Sequence, residues 1–103
     1  MQPGLDVHVA HESETTTVVV AGEIDLVSSV RLNRELDGAL DAQPEWLRID
    51  LLAVSFMDTT GVAVLLKARR RALEAGCRFT VKAASPTIQR LLEITGLAAL
   101  LSE

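Results

Sequence analysis

The 103-residue chain has room for one domain, and a hydrophobic fraction of 49% beside 23% charged residues is that of a globular protein with a single core. A formal net charge of −4 excludes a surface built to collect nucleic-acid phosphates, and an aromatic content of 3% removes a base-stacking platform as well. No apolar run approaches the ~20 residues of a membrane helix, the start Met1-Gln2-Pro3-Gly4 has neither the basic nor the apolar part of a secretory signal, and the single Cys77 excludes an internal disulfide. The expectation is one domain over residues 1–103, cytoplasmic, without membrane insertion, binding no nucleic acid and needing no cofactor or metal.

In chain order, Leu5-Asp6-Val7-His8-Val9-Ala10 alternates apolar and polar, and Thr15 to Ala21 is a β-branched run of the same character. The polar turn His11-Glu12-Ser13-Glu14 between them makes an antiparallel hairpin, with His8 and His11 facing solvent. Gly22-Glu23-Ile24-Asp25 closes the second strand. Asp25 or Ser28 then caps a helix whose buried side is Ser29, Leu32, Leu36, Ala39 and Leu40. Leu26, Val27 and Val30 fall off that stripe, so they are expected nearer the surface.

Asp41-Ala42-Gln43-Pro44-Glu45 breaks the helix, because proline lacks the N–H and pushes its predecessor out of the helical region. Trp46 leads into a short buried strand, Leu47-Arg48-Ile49-Asp50-Leu51. Downstream, Val62, Leu65, Ala68, Ala72 and Leu73 recur at helical spacing, and Gly76 ends that helix. Lys67, Arg70, Arg71 and Glu74 lie on its opposite face, which reads as solvated and is the one basic concentration in an acidic chain. Cys77 reads as a buried, inert thiol, and Arg78 to Ala83 alternates as a further strand. Ser85 as N-cap and Pro86 at the first helical position start a helix buried through Ile88, Leu91 and Leu92 and ended by Gly96. The apolar tail Ala98-Ala99-Leu100-Leu101 must pack on something. A hairpin, two strand-helix units and a last helix make an α/β fold with a mixed sheet, and right-handed crossovers set its later strands parallel to the second.

Between the third strand and its helix stands Val54-Ser55-Phe56-Met57-Asp58-Thr59-Thr60-Gly61-Val62. Asp58 is a good N-cap, because its carboxylate can accept from the free N–H groups of the first turn, and Gly61 lets another backbone or surface come close. The result is a small hydroxyl displayed at a helix N-terminus. Asp25, Asp50 and Asp58 are expected to converge there, at the C-terminal edge of the parallel strands.

Phe-Met-Asp-Thr-Thr-Gly-Val resembles the phosphoacceptor motif of the STAS domain, the fold of bacterial anti-sigma factor antagonists, in which an aspartate and a phosphorylated serine open the second helix. Gly22-Glu23-Ile24-Asp25 is similar to the end of that family's second strand. Ser85-Pro86, followed by Arg90-Leu91-Leu92-Glu93-Ile94-Thr95-Gly96-Leu97, is similar to its last helix. Thr59 stands where most of these antagonists have serine. The resemblance implies an N-terminal antiparallel hairpin followed by parallel strands, with helices mainly on one face. It also implies a protein switch that catalyses nothing: Thr59 as phosphoacceptor, Asp58 as capping and recognition residue, Asp25 as a neighbouring polar contact, and Thr60 and Gly61 completing a partner-binding surface. The implied partner is an anti-sigma factor kinase of the ATP-binding GHKL type, bound by the unphosphorylated form so that sigma factor is released, with a phosphatase as a further candidate partner.

Two other readings compete. An enzyme using Thr59 as nucleophile needs a positioned base, yet the only histidines lie on the first strand and its turn, and Lys82 falls in a strand interior. A non-switching STAS subunit of a larger assembly, such as a phospholipid-transport ABC complex, accommodates threonine at this helix start.

Overall fold

The computed structural model describes residues 4–82 and 85–96. Strands β1 (Leu5–Glu12) and β2 (Thr15–Ile24) form the hairpin, and then come helix α1 (Ser28–Asp41), β3 (Trp46–Met57), α2 (Thr59–Glu74), β4 (Arg78–Lys82) and α3 (Pro86–Ile94). The sheet order is β1-β2-β3-β4, with β1 antiparallel to β2 and the rest parallel. Sequential order means both crossovers step the same way, and crossovers of one hand then place α1 and α2 side by side on one face. That face carries the core: Val18, Val20 and Ile24 of β2, Leu47, Ile49 and Leu51 of β3 and Val81 of β4 pack with Leu32, Leu36 and Leu65.

The hairpin extends further than the alternation suggests. His11 and Glu12 pair with Thr16 and Thr15, leaving Ser13-Glu14 as the loop, with Ser13 at φ 58°. His8 and His11 are both exposed, and His11 Nδ1 meets Thr16 Oγ1 at 3.1 Å. The α1 stripe is the expected Ser29, Leu32, Leu36, Ala39 and Leu40.

The third strand is the largest departure. It runs to Met57 rather than stopping at Leu51, so the first half of the central motif is strand. Pairing with β2 slips between Val19 and Ala21 and again between Gly22 and Glu23, and each slip inserts an extra residue that breaks the alternation of period two. Leu52 and Ala53 are consequently both exposed, while Val54 and Met57 return to the core. In α2, Val62, Leu65, Ala68 and Ala72 are buried but Leu73 is 58% exposed. One residue beyond Ala72 is about 100° round the helix, which carries Leu73 off the stripe. Lys82 is the exposed last residue of β4 rather than a strand-interior lysine. Ile88 and Leu92 are buried, and Leu91 is partly so. Ala83 and the tail Ala98 to Leu101 lie outside the described residues.

The basic face of α2 is not simply solvated. Arg71 reaches Asp37 at 2.9 Å and Asp41 at 3.1 Å on α1, and Lys67 reaches Asn33 at 3.3 Å and Asp37 at 3.8 Å. The bond to Asp41, then that to Asp37, raise the Arg71 pKa. These groups pin the two helices together along their outer seam; being half-exposed pairs, each adds little stability. Trp46 is held at the start of β3 by Arg48 and Arg78, 5.0 and 4.2 Å from its ring centroid, and its Nε1 donates to Thr80 Oγ1 at 3.0 Å. Cys77 is buried, and burial pushes its thiol pKa up, which suits an inert packing role.

Leu36, only 1% exposed at the centre of the α1 stripe, sets a test of this packing. Leu36→Ala is expected to cost about 2–5 kcal/mol in urea unfolding, and Arg70→Ala, on the exposed side of α2, to leave the midpoint unchanged.

Candidate functional site

Ile24 ends β2 and Met57 ends β3, and the two are register partners. The next residue on each strand is an aspartate, and the Asp58 N–H donates to the Ile24 carbonyl at 3.1 Å, so the parallel ladder runs right up to both helix starts. Two helix N-termini therefore open side by side at one end of the sheet.

At the first, Asp25 and Ser28 bond each other in the turn that leads into α1. Asp25 Oδ1 accepts from the N–H groups of Val27 at 3.0 Å and Ser28 at 2.9 Å, while the Ser28 hydroxyl accepts from the Asp25 N–H at 2.9 Å and donates to the Glu23 carbonyl at 2.7 Å. Neither sequence candidate is itself the N-cap: that position is Val27, with no side-chain cap bond, while Asp25 ties the turn leading into the helix and Ser28 is its first residue. The Ser28 N–H is the main cause that lowers the Asp25 pKa; partial burial opposes it, and the Ser28 hydroxyl and Val27 N–H add to it. The aliphatic residues that follow stand out in solvent: Leu26 is 71% exposed, Val27 81% and Val30 58%.

At the second, Asp58 is extended, with φ −104° and ψ −171°, and its Oδ1 accepts from the Thr60 N–H at 2.9 Å. The Thr60 hydroxyl donates to the same carboxylate oxygen. Thr59 differs. It is exposed, and no described residue hydrogen-bonds its hydroxyl. Of two adjacent threonines, one is committed to the cap and the other is presented outward.

Gly61 is buried, and what comes close to it is the protein's own sheet. A Cβ there would stand 2.5 Å from Met57 Cγ and 2.8 Å from Ile24 Cγ2, so the absent side chain lets the first turn of α2 sit directly on the paired strand ends.

Asp50 does not join the cluster. It pairs with Val19 and Lys82, eight residues before Asp58 on the same strand and so roughly 25 Å away along it, and its carboxylate accepts from the Leu52 N–H at 3.0 Å. His11 pairs with Thr16 at the far end of the hairpin and His8 with Val19 in its middle, so neither reaches Thr59 as a base. Among the described residues no group of three or more His, Cys, Asp or Glu side chains could hold a metal ion, and no helix is long and apolar enough to cross a membrane.

The family described as "Mlab, STAS domain" matches residues 7–102. The chain belongs to the STAS family. Among curated STAS relatives, it is 34% identical over 93 residues to the anti-sigma-B factor antagonist of Bacillus subtilis strain 168, covering 90% of this chain and 84% of that protein. It is 32% identical over 87 residues to the anti-sigma-B factor antagonist of Listeria monocytogenes serovar 1/2a, covering 84% and 76%. Among solved structures, an anti-sigma factor antagonist from Mycobacterium paratuberculosis superposes with a TM-score of 0.87 at 28% identity, covering 95% of this chain and 83% of that one. SpoIIAA in its unphosphorylated form shares the STAS fold, with a TM-score of 0.84 at 19% identity over 94% of this chain and 86% of that one. These named relatives are regulatory proteins rather than enzymes.

Two substitutions probe the site's construction. Asp25→Ala should lower the melting temperature at pH 7, because two N–H groups lose their acceptor. A carboxyl whose pKa is lowered by folding contributes stability above its ordinary value of 3.8 and loses it as the pH falls through the lower folded value, so the gap from wild type should close in acid. Gly61→Ala should cost about 1–3 kcal/mol in denaturant unfolding, because Ile24 and Met57 must shift to admit the methyl group.

Proposed function

We infer that the domain is an anti-sigma factor antagonist switched by phosphorylation at Thr59. Its unphosphorylated form binds a GHKL-type, ATP-binding anti-sigma factor kinase in the cytoplasm and so releases sigma factor, and a phosphatase resets it. The observation that carries this reading is the contrast between the paired threonines: the Thr60 hydroxyl is spent on Asp58, whereas the Thr59 hydroxyl is exposed and unbonded at the N-terminus of α2. Kinship with proteins named anti-sigma factor antagonists supports it.

The docking surface on this reading is Asp25, Asp58, Thr59 and Thr60, with Gly61 seating the helix beneath them and Leu26, Val27 and Val30 adding apolar contact. A phosphate would bring about −1.5 to −2 charge. The helix dipole tolerates it, so the fold survives, but the edge already holds Glu23, Asp25 and Asp58, and a partner matched to the unmodified surface meets excess negative charge and bulk.

Mass spectrometry after incubation with the kinase and ATP, paired with calorimetric titration, tests the reading. Thr59→Ala should fold, resist phosphorylation and keep binding; Thr59→Glu should fold and bind at least tenfold more weakly, about 1.4 kcal/mol. Thr60→Ala should still be phosphorylated. Phosphate on Thr60 instead would overturn the site, and a stable complex disrupted by Thr59→Ala, with no phosphate transferred, would point to the non-switching subunit.

A further inference from the structure

Both long helices lie on one face of the sheet, and the strand alternation that puts Val18, Leu47 and Val81 in the core sends every second residue to the opposite face. On β2 that face shows Thr15, Thr17 and Val19, and on β3 Trp46, Arg48 and Asp50. All six keep solvent-exposed surface, so no described element covers it. Its charges are sorted by strand. At one edge β1 carries the exposed Asp6 and Glu12, with His8 between them, and at the other β4 carries the exposed Arg78 and Lys82. With Arg48 and Asp50 the face holds three cations and three carboxylates, His8 apart, in a chain whose formal net charge is −4. Two copies brought together here avoid the repulsion that the rest of an acidic surface imposes.

The order β1-β2-β3-β4 makes this sorting self-complementary. A two-fold axis parallel to the strands, set between two open faces, lays β1 of each copy over β4 of the other and β2 over β3. The register decides which groups meet. Glu12, Thr15, Trp46 and Arg78 are partners across the four strands, so Glu12 comes opposite Arg78 of a second copy, and the short Thr15 opposite its Trp46 ring. In the next row the short Thr17 comes opposite Arg48. In the third His8 comes opposite Lys82, with Asp6 one row further on and diagonal to that amine. Glu14 and Glu45 stay in the loops beyond the first row. Strands about 4.8 Å apart and rows two residues apart give a footprint of about 20 by 20 Å, roughly 400 Å² per copy and half of what a stable interface buries. The contact is therefore weak and reversible.

We propose that the open face of the sheet is a self-association surface on which two copies of this chain pair, β1 over β4, through Glu12 against Arg78 and Trp46 seated on the short residues of β2. Because the axis is parallel to the strands, both copies present the Asp58 and Thr59 cap in the same direction and leave it free. The pairing holds whether or not Thr59 is a phosphoacceptor.

The test is sedimentation velocity of the full chain from about 10 μM to about 1 mM, the range in which a weak pair forms. Dimer is expected to grow with concentration and to recede as salt rises, while the emission of Trp46, the one tryptophan, moves to shorter wavelength as the dimer forms. Glu12→Arg and Arg78→Glu should each weaken pairing at least tenfold. An equimolar mixture of the two variants should restore it, because each altered edge then faces the opposite charge. Both positions are exposed, and circular dichroism checks that the variants fold; where one does not, Asp6→Lys with Lys82→Glu repeats the cycle. A chain that stays monomeric throughout at low salt overturns the proposal and leaves the face to the chain's own ends or to another protein. A dimer that survives both charge reversals, or folded variants that their mixture does not rescue, also overturns it and moves the contact to another face or orientation.

Discussion

The hydrogen bond from the Asp58 N–H to the Ile24 carbonyl is small, but the candidate site depends on the junction it closes. It extends the β2–β3 ladder to the last residue of each strand, so the two turns that follow cannot drift apart. Because both strands are parallel and each is followed by a helix, that one register brings together the caps of α1 and α2. A slip of one residue would turn Met57 away from the core and Asp58 off the cap together, since successive strand side chains point to opposite faces. Burial of Met57 and Ile24 under Gly61 and exposure of Thr59 are thus two results of the same alignment.

Much of this was legible in the residues. The α1 stripe, the Asp58 and Ser85 caps, the hairpin and the parallel order rest on local rules, namely helical spacing, a capping side chain and alternation, and each of these holds in the structure. What escaped was non-local. The length of β3 is set by bulges against β2, and a bulge leaves no mark in a single strand except a lapse in alternation, here Leu52 and Ala53. The apolar run ending at Leu51 puts Asp50 with the other aspartates; six further residues of strand beyond that run carry the edge away from it.

The site was partly legible for the same reason. Asp58, Thr59 and Thr60 are consecutive, so their placement follows from one cap, and Asp25 joins them through a register that the likeness of the whole chain to one family made readable. Composition could not say which threonine is free, because that depends on which hydroxyl lies within reach of the Asp58 carboxylate. Nor could periodicity show that Lys67 and Arg71 turn toward Asp37 and Asp41: a row of charges on the face away from the sheet looks the same whether it meets water or a neighbouring helix.

Gly61 sets how closely α2 approaches the strand ends. With the first turn of α2 resting on Ile24 and Met57, the helix cannot come closer to the sheet without displacing those side chains. On the proposed reading, a protein docking on this cap would meet a preorganised shape, and its association would not wait on a rearrangement or on ordering a loop. Discrimination at such a surface would then fall to its outermost atoms, by contact and charge, and complementarity rather than motion would carry the signal.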